Sequence, residues 1–166
     1  MRRLISAVLA LALCLSFLSC GAQSASGDNE CMLSVRCDTA VAHADALSPE
    51  TAAILPADGI MLAETAVSFS DGETAFDVLR RAARAAGLHL EFEKTPLYGG
   101  VYVEGIGNLY AFDGGELSGW VYAVNGVFPE VAASAFELHG GDTVEWIYTC
   151  DLGRDAVSRY TAEGDQ

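Results

Sequence analysis

The chain has 166 residues, a length that favours one domain. Hydrophobic residues make up 51% and charged residues 19%, which excludes a wholly disordered chain. Twenty-three acids against nine Lys and Arg give a formal charge of −14. With no basic patch, this excludes a nucleic-acid-binding surface, because such a surface needs clustered cations to displace counterions from phosphates.

The N-terminus opens on Met1-Arg2-Arg3, and Leu4 to Leu18 is apolar apart from Ser6 and Ser16. A run of about 15 residues is short for a membrane span, which takes roughly 20. Positive charge followed by a short apolar run predicts a secretory signal over residues 1–20. The run stops at Phe17-Leu18-Ser19-Cys20, followed by Gly21. This resembles a bacterial lipobox, which implies lipidation of Cys20 as the new N-terminus; ordinary secretion with an unmodified Cys20 is the alternative. Two acyl chains suffice for stable anchoring. The expected product is exported and lipid-anchored to the outer face of the cell membrane. Residues 21–30 begin with small polar side chains and read as a flexible tether.

Cys31, Cys37 and Cys150 remain in the mature chain, in a compartment where disulfides can persist. Without a Cys-x-x-Cys spacing, a redox motif or zinc ribbon is not indicated. On one strand Cys31 and Cys37 would stand roughly 20 Å apart, well beyond the ~7 Å between Cα atoms that a bridge allows. If the first and last strands run parallel, Cys37 approaches Cys150; if they run antiparallel, Cys31 does. The favoured pair is Cys37 with Cys150.

Met32 to Val35 reads as a strand. The Ala-rich stretch from Asp38 to Pro56 carries Ser48-Pro49-Glu50 as a helix start. Ile60 to Phe69 reads as a strand after the Asp58-Gly59 turn. Ser70-Asp71-Gly72-Glu73 has capping-box spacing, and Phe76, Leu79, Ala83 and Ala86 then recur every three or four residues. This predicts a helix over 73–86, closed by Gly87. Arg80, Arg81 and Arg84 suit its C-terminal half.

Leu88, Leu90 and Phe92 alternate with polar residues as a half-buried strand, with His89 toward solvent. Val101 to Val103 is a short strand. Trp120, Tyr122 and Val124 alternate before Asn125-Gly126, a hairpin signal. The return strand is expected from Val127-Phe128 until Pro129 stops it. Gly140-Gly141-Asp142 turns the chain into a last strand ending at Cys150. The residues after 154 read as a frayed tail. One helix on a mixed sheet makes an α+β fold.

Three stretches read together: Gly72-Glu-Thr-Ala-Phe-Asp-Val-Leu79, Leu117-Ser-Gly-Trp-Val-Tyr-Ala-Val-Asn-Gly126 and Gly141-Asp-Thr-Val-Glu-Trp146, closed by Cys150-Asp-Leu-Gly153. Residues 31–154 thereby resemble the bacterial domain-of-unknown-function family grouped with the transcobalamin C-terminal domain. The resemblance implies a β-grasp-like mixed sheet with one main helix on one face. It also implies parallel first and last strands, which favours Cys37–Cys150. Some relatives carry cysteines near the positions of Gly114 and Ala133. Related domains in vertebrate vitamin carriers cover one face of cobalamin beside a helical barrel, for which this chain has no room.

Catalytic motifs are lacking. Gly115-Glu-Leu-Ser-Gly119 has the wrong spacing for a nucleophile elbow. His43, His89 and His139 are scattered, and Asp113-Gly-Gly-Glu116 reads as a turn rather than a calcium loop. No catalytic or metal-binding residue is assigned, and the chain is expected not to be an enzyme. Aromatic side chains give large rigid contact area. By the resemblance, the hairpin Trp120 to Phe128 faces the ligand, which makes Trp120, Tyr122, Asn125 and Phe128 the candidate ligand-binding residues. The expected function is a small binding module, with a corrinoid such as cobalamin as candidate ligand and no resident cofactor; the alternative is a cell-surface module for a protein partner.

Overall fold

The computed structural model describes residues 29–95 and 99–156. The expected signal, Cys20 and its lipidation, the tether up to residue 28, and residues 157–166 lie outside the described residues. The elements in order are β1 (Asn29–Arg36), α1 (Asp38–Ala42), α2 (Pro49–Ile54), β2 (Ile60–Phe69), α3 (Ala75–Ala86), β3 (Leu90–Thr95), β4 (Gly100–Ile106), β5 (Leu109–Tyr110), β6 (Gly119–Val124) and β7 (Thr143–Thr149). Asn29 and Glu30, read from sequence as tether, are the first residues of β1. Among the described residues no helix is long and apolar enough to cross a membrane.

The class is α+β, with two sheets rather than one. The main sheet has the order β2-β1-β7-β6, and β3-β4-β5 form a second sheet. Within the main sheet β1 and β7 run parallel, as expected, and β2 and β6 flank them antiparallel. The separate sheet arises from local pairing. β3 and β4 are antiparallel neighbours, and Gly107 and Asn108, at φ 60° and 64°, turn the chain back so that β5 closes on β4.

The main helix starts later than its spacing suggested. Gly72 sits at φ 82°, outside the helical region, so no helix can run through it. Ser70 and Glu73 make a turn instead, with the Ser70 amide donating to Glu73 Oε2 at 2.7 Å. The capping box is Thr74 with Asp77: the Asp77 amide donates to Thr74 Oγ1 at 3.3 Å and the Thr74 amide to Asp77 Oδ2 at 3.1 Å. The amides of Ala75 and Phe76 donate to the carbonyls of Phe136 and Ala133 at 3.0 and 3.1 Å. Two donors that a helix start leaves unpaired thus pin the 133–138 segment. Gly87 closes α3 at φ 68°, as predicted. Phe76, Val78, Leu79 and Ala82 form its buried face, against a core of Leu33, Val35, Phe69, Val144 and Tyr148. Each large side chain buried there contributes about 1.5–3 kcal/mol.

The Cys37–Cys150 bridge is not formed: Cys31, Cys37 and Cys150 are free thiols. The parallel register ends with Arg36 opposite Ile147; Cys37 is already the cap residue of α1, and Cys150 lies beyond the end of β7. The end of β7 is held by other means. Asp155 accepts from the Thr149 hydroxyl and, at 2.7 Å, from the Cys150 amide, and Ala156 is buried. Asp155 and Ala156, read as tail, therefore belong to the folded body.

Candidate ligand-binding site

β6 is the last strand of the main sheet, and its alternation sends successive side chains to opposite faces. Trp120 and Tyr122 point into the core. The Trp120 ring meets the Tyr148 ring edge-on at 5.3 Å, and its Nε1 donates to the Leu109 carbonyl at 2.9 Å. Tyr122 stacks on Trp146 at 5.5 Å and donates its hydroxyl to the Val131 carbonyl at 2.8 Å. Burial pushes the Tyr122 hydroxyl up to about 12, so it is held as a donor and offers no acid–base chemistry near neutrality. Val121 points to the opposite face.

The main chain of β6 also has a direction. The Asn125 amide donates inward to Thr143 on β7 at 2.9 Å, whereas Val124 exchanges both main-chain bonds outward with Val127, at 2.9 and 3.0 Å. Main-chain groups alternate sides along an antiparallel strand. The N–H and C=O of Tyr122 and Trp120 therefore face the open edge, where no further strand of the sheet lies among the described residues. An open cleft of about 510 Å3 runs along that edge, lined by Trp120, Val121, Tyr122, Phe128, Pro129, Leu152, Gly153 and Arg154. Ligand pockets commonly fall in this size range. Phe128 and Pro129 form one lip. Leu152, 67% exposed at φ 49°, and Arg154 form the other. Arg154 holds Asp151 at 2.5 Å.

Three of the four residues marked from sequence, Trp120, Tyr122 and Phe128, thus line one cleft. Asn125 does not. At φ 52° it is the first residue of the turn. Its side chain donates to Asp142 Oδ1 at 2.8 Å and accepts from the Thr143 amide at 2.9 Å, so its work is to fasten the turn to β7. The return strand expected from Val127 is a single bridge, Val124 to Val127, and Pro129, which has no N–H to continue a ladder, follows two residues later. Leu152, Gly153 and Arg154 were missed in the sequence; they come 30 residues later in the chain, and no local pattern ties them to β6. Their placement follows from the Leu152 amide donating to the Leu117 carbonyl at 2.9 Å.

His43, His89 and His139 are all exposed, and among the described residues no group of three or more His, Cys, Asp or Glu could hold a metal ion. Asp113 Oδ2 accepts from the Tyr110 amide at 2.8 Å, the turn expected there. Tyr98, one of the middle-third aromatics, lies outside the described residues.

No curated protein matches the sequence. Among solved structures, the chain is similar to haptocorrin in a crystal structure of its complex with Cbi, with a TM-score of 0.54 and 16% identity over 75% of this chain. The chain spans about a quarter of the length of haptocorrin, and the likeness is one of fold. It is also similar to a putative metal binding protein from Ruminococcus gnavus, at 15% identity and a TM-score of 0.45, over 73% of this chain and 96% of that one. Residues 72–149, from α3 through β7, match the family described as Domain of unknown function (DUF4430).

Proposed function

We propose that the chain is an exported, lipid-anchored protein whose domain binds a small ligand in the β6 cleft, with a corrinoid as the first ligand to test. The observation that carries this reading is the convergence of Trp120, Tyr122 and Phe128 on one cleft. Fold similarity to haptocorrin supports a corrinoid over other flat ligands. The anchor rests on Cys20 and the apolar run before it. Binding is favoured over catalysis because, among the described residues, Arg154 is the only charged side chain lining the cleft.

The test is a thermal-shift screen with corrinoids, haem and glycans, since a ligand that binds only the folded state must raise the melting temperature. A corrinoid is expected to raise it, and Phe128→Ala is expected to remove the rise. Phe128 serves better than Trp120 as the probe, because Trp120 is only 7% exposed and its loss would disturb the fold. If no corrinoid shifts the melting temperature, the corrinoid reading fails; if Phe128→Ala leaves the shift unchanged, the site is elsewhere.

The second reading, a module for a protein partner, is favoured by the open edge of β6. The outward N–H and C=O groups of Trp120 and Tyr122 match an extended peptide adding as a further strand. A screen against extended peptides, scored with the same Phe128→Ala variant, separates the two readings.

A further inference from the structure

The chain is acidic, yet its cations are gathered. Among the described residues the Lys and Arg are Arg36, Arg80, Arg81, Arg84, Lys94 and Arg154. Arg80, Arg84 and Lys94 line a single groove of about 540 Å3 between α3 and β3, together with Ala83, Leu88, His89, Leu90 and Phe92. These are different elements from those around the β6 cleft.

The groove is built by two periodicities. Arg80 and Arg84 stand one helical turn apart and share a face of α3. On β3, Leu90, Phe92 and Lys94 alternate with Glu91 and Glu93, so the first three share a face. That face looks toward α3, because the Phe92 and Phe76 rings meet edge-on at 4.8 Å. Lys94 therefore occupies a position where the alternation calls for an apolar residue, and the two glutamates of β3 are turned away from it. Glu91 is 3.5 Å from His89 Nε2.

Two of the three groove cations have no acidic partner among the described residues. Arg80 holds Asp77 loosely, at 3.8 Å, and lies 5.9 Å over the Phe76 ring. Arg84 and Lys94 have no acidic partner among the described residues, although the neighbouring Arg81 is paired with Glu73. Beside them Phe92 is 37% exposed, and Leu88 and Leu90 are half-buried. A large exposed aromatic flanked by cations lacking counterions suits a ligand with an anionic head and an apolar or aromatic body. The head would sit between Arg84 and Lys94, and the body on Phe92. Guanidinium and ammonium groups both donate strongly to carboxylate and phosphate oxygens.

We infer that the groove between α3 and β3 is a binding site for a small organic anion with an aromatic or apolar body. The test titrates the full-length chain with phenyl phosphate, with inorganic phosphate and benzyl alcohol as separate arms. Phenyl phosphate is expected to bind saturably, and each of the other two at least about tenfold more weakly, since each lacks one half of the contact. Arg84→Glu and Lys94→Glu are each expected to weaken phenyl phosphate by about tenfold or more. Both side chains are exposed, so the melting temperatures of these variants should stay close to that of the parent. No saturable binding of phenyl phosphate at millimolar concentration overturns the inference. Binding that survives both charge reversals overturns it too. Equal affinity for inorganic phosphate overturns the role given to Phe92.

Discussion

Trp120 Nε1 donates to the carbonyl of Leu109 at 2.9 Å, and that bond ties the edge strand of the main sheet to the last strand of the small one. The same side chain that lines the cleft therefore also joins the two sheets. Trp120→Ala should cost about 3–5 kcal/mol through the cavity it leaves. Trp120→Phe keeps most of the packing but loses the indole bond to the Leu109 carbonyl, at about 1 kcal/mol. Trp146 is the contrast: its Nε1 is buried with no hydrogen-bond partner among the described residues. Trp146→Phe should cost less than Trp120→Phe, and urea denaturation of the two variants side by side checks the order.

Asn125 is expected to matter for stability and not for ligand. Asn125→Ala removes the bonds to Asp142 and Thr143 and places a residue without a polar side chain at φ 52°. The cost should be about 1–2 kcal/mol. Asn125→Gly should recover the backbone part of that loss, because glycine adopts positive φ freely. Midpoints of urea denaturation read both effects, and ligand affinity of the folded variants should not change.

The thiols should be unreactive in the folded state. Burial pushes Cys31, Cys37 and Cys150 from 9.0 up to about 11, with the Asp142, Asp58 and Asp155 charges adding to it respectively. A folded pKa above the unfolded one means the protonated thiol is favoured by folding. The resulting stability is fully present below about pH 9 and is lost as the pH rises toward 11. Denaturation midpoints taken at pH 8 and at pH 10.5 should therefore fall, and the fall should shrink in Cys37→Ala. With a thiol reagent at pH 8, Cys150, the half-buried one, should react first.

Gly114 offers a way to build a bridge to Cys150. A Cβ placed on Gly114 would lie 3.2 Å from Cys150 Sγ, close to the reach of a disulfide. Gly114→Cys should therefore oxidise with Cys150 and leave Cys31 and Cys37 reduced. Peptide mapping by mass spectrometry under non-reducing conditions tests this. A Cys37–Cys150 linkage in the variant would contradict this.

Much of the fold was legible because its signals are local. The limits of β2 follow from its β-branched content between two turns, and α3 was visible in the spacing of Phe76, Leu79 and Ala83. The start of α3 was misread because Ser70 and Glu73 have capping-box spacing but Gly72 between them lies at φ 82°, a backbone state that residue spacing does not reveal. The division into two sheets was not legible, since nothing in β3 or β6 says which strand each will pair with. The site was half legible for the same reason. Resemblance to the transcobalamin C-terminal domain family marked Trp120, Tyr122 and Phe128; alternation showed only that the first two share a face. Leu152 to Arg154 reach the cleft only through a long-range bond to Leu117. The cationic groove was hidden in the same way: Arg80 and Arg84 read as dipole-favoured residues of a solvated helix until β3 brought Lys94 and Phe92 opposite them.

Amide mapping by NMR during a corrinoid titration tests the central claim most directly. The Trp120 and Tyr122 amides face the open edge of β6, so they should shift together with Phe128 and Gly153, in proportion to saturation. A titration in which the corrinoid binds but the shifts fall on β2 and α3, with Trp120, Tyr122 and Phe128 unmoved, would contradict it.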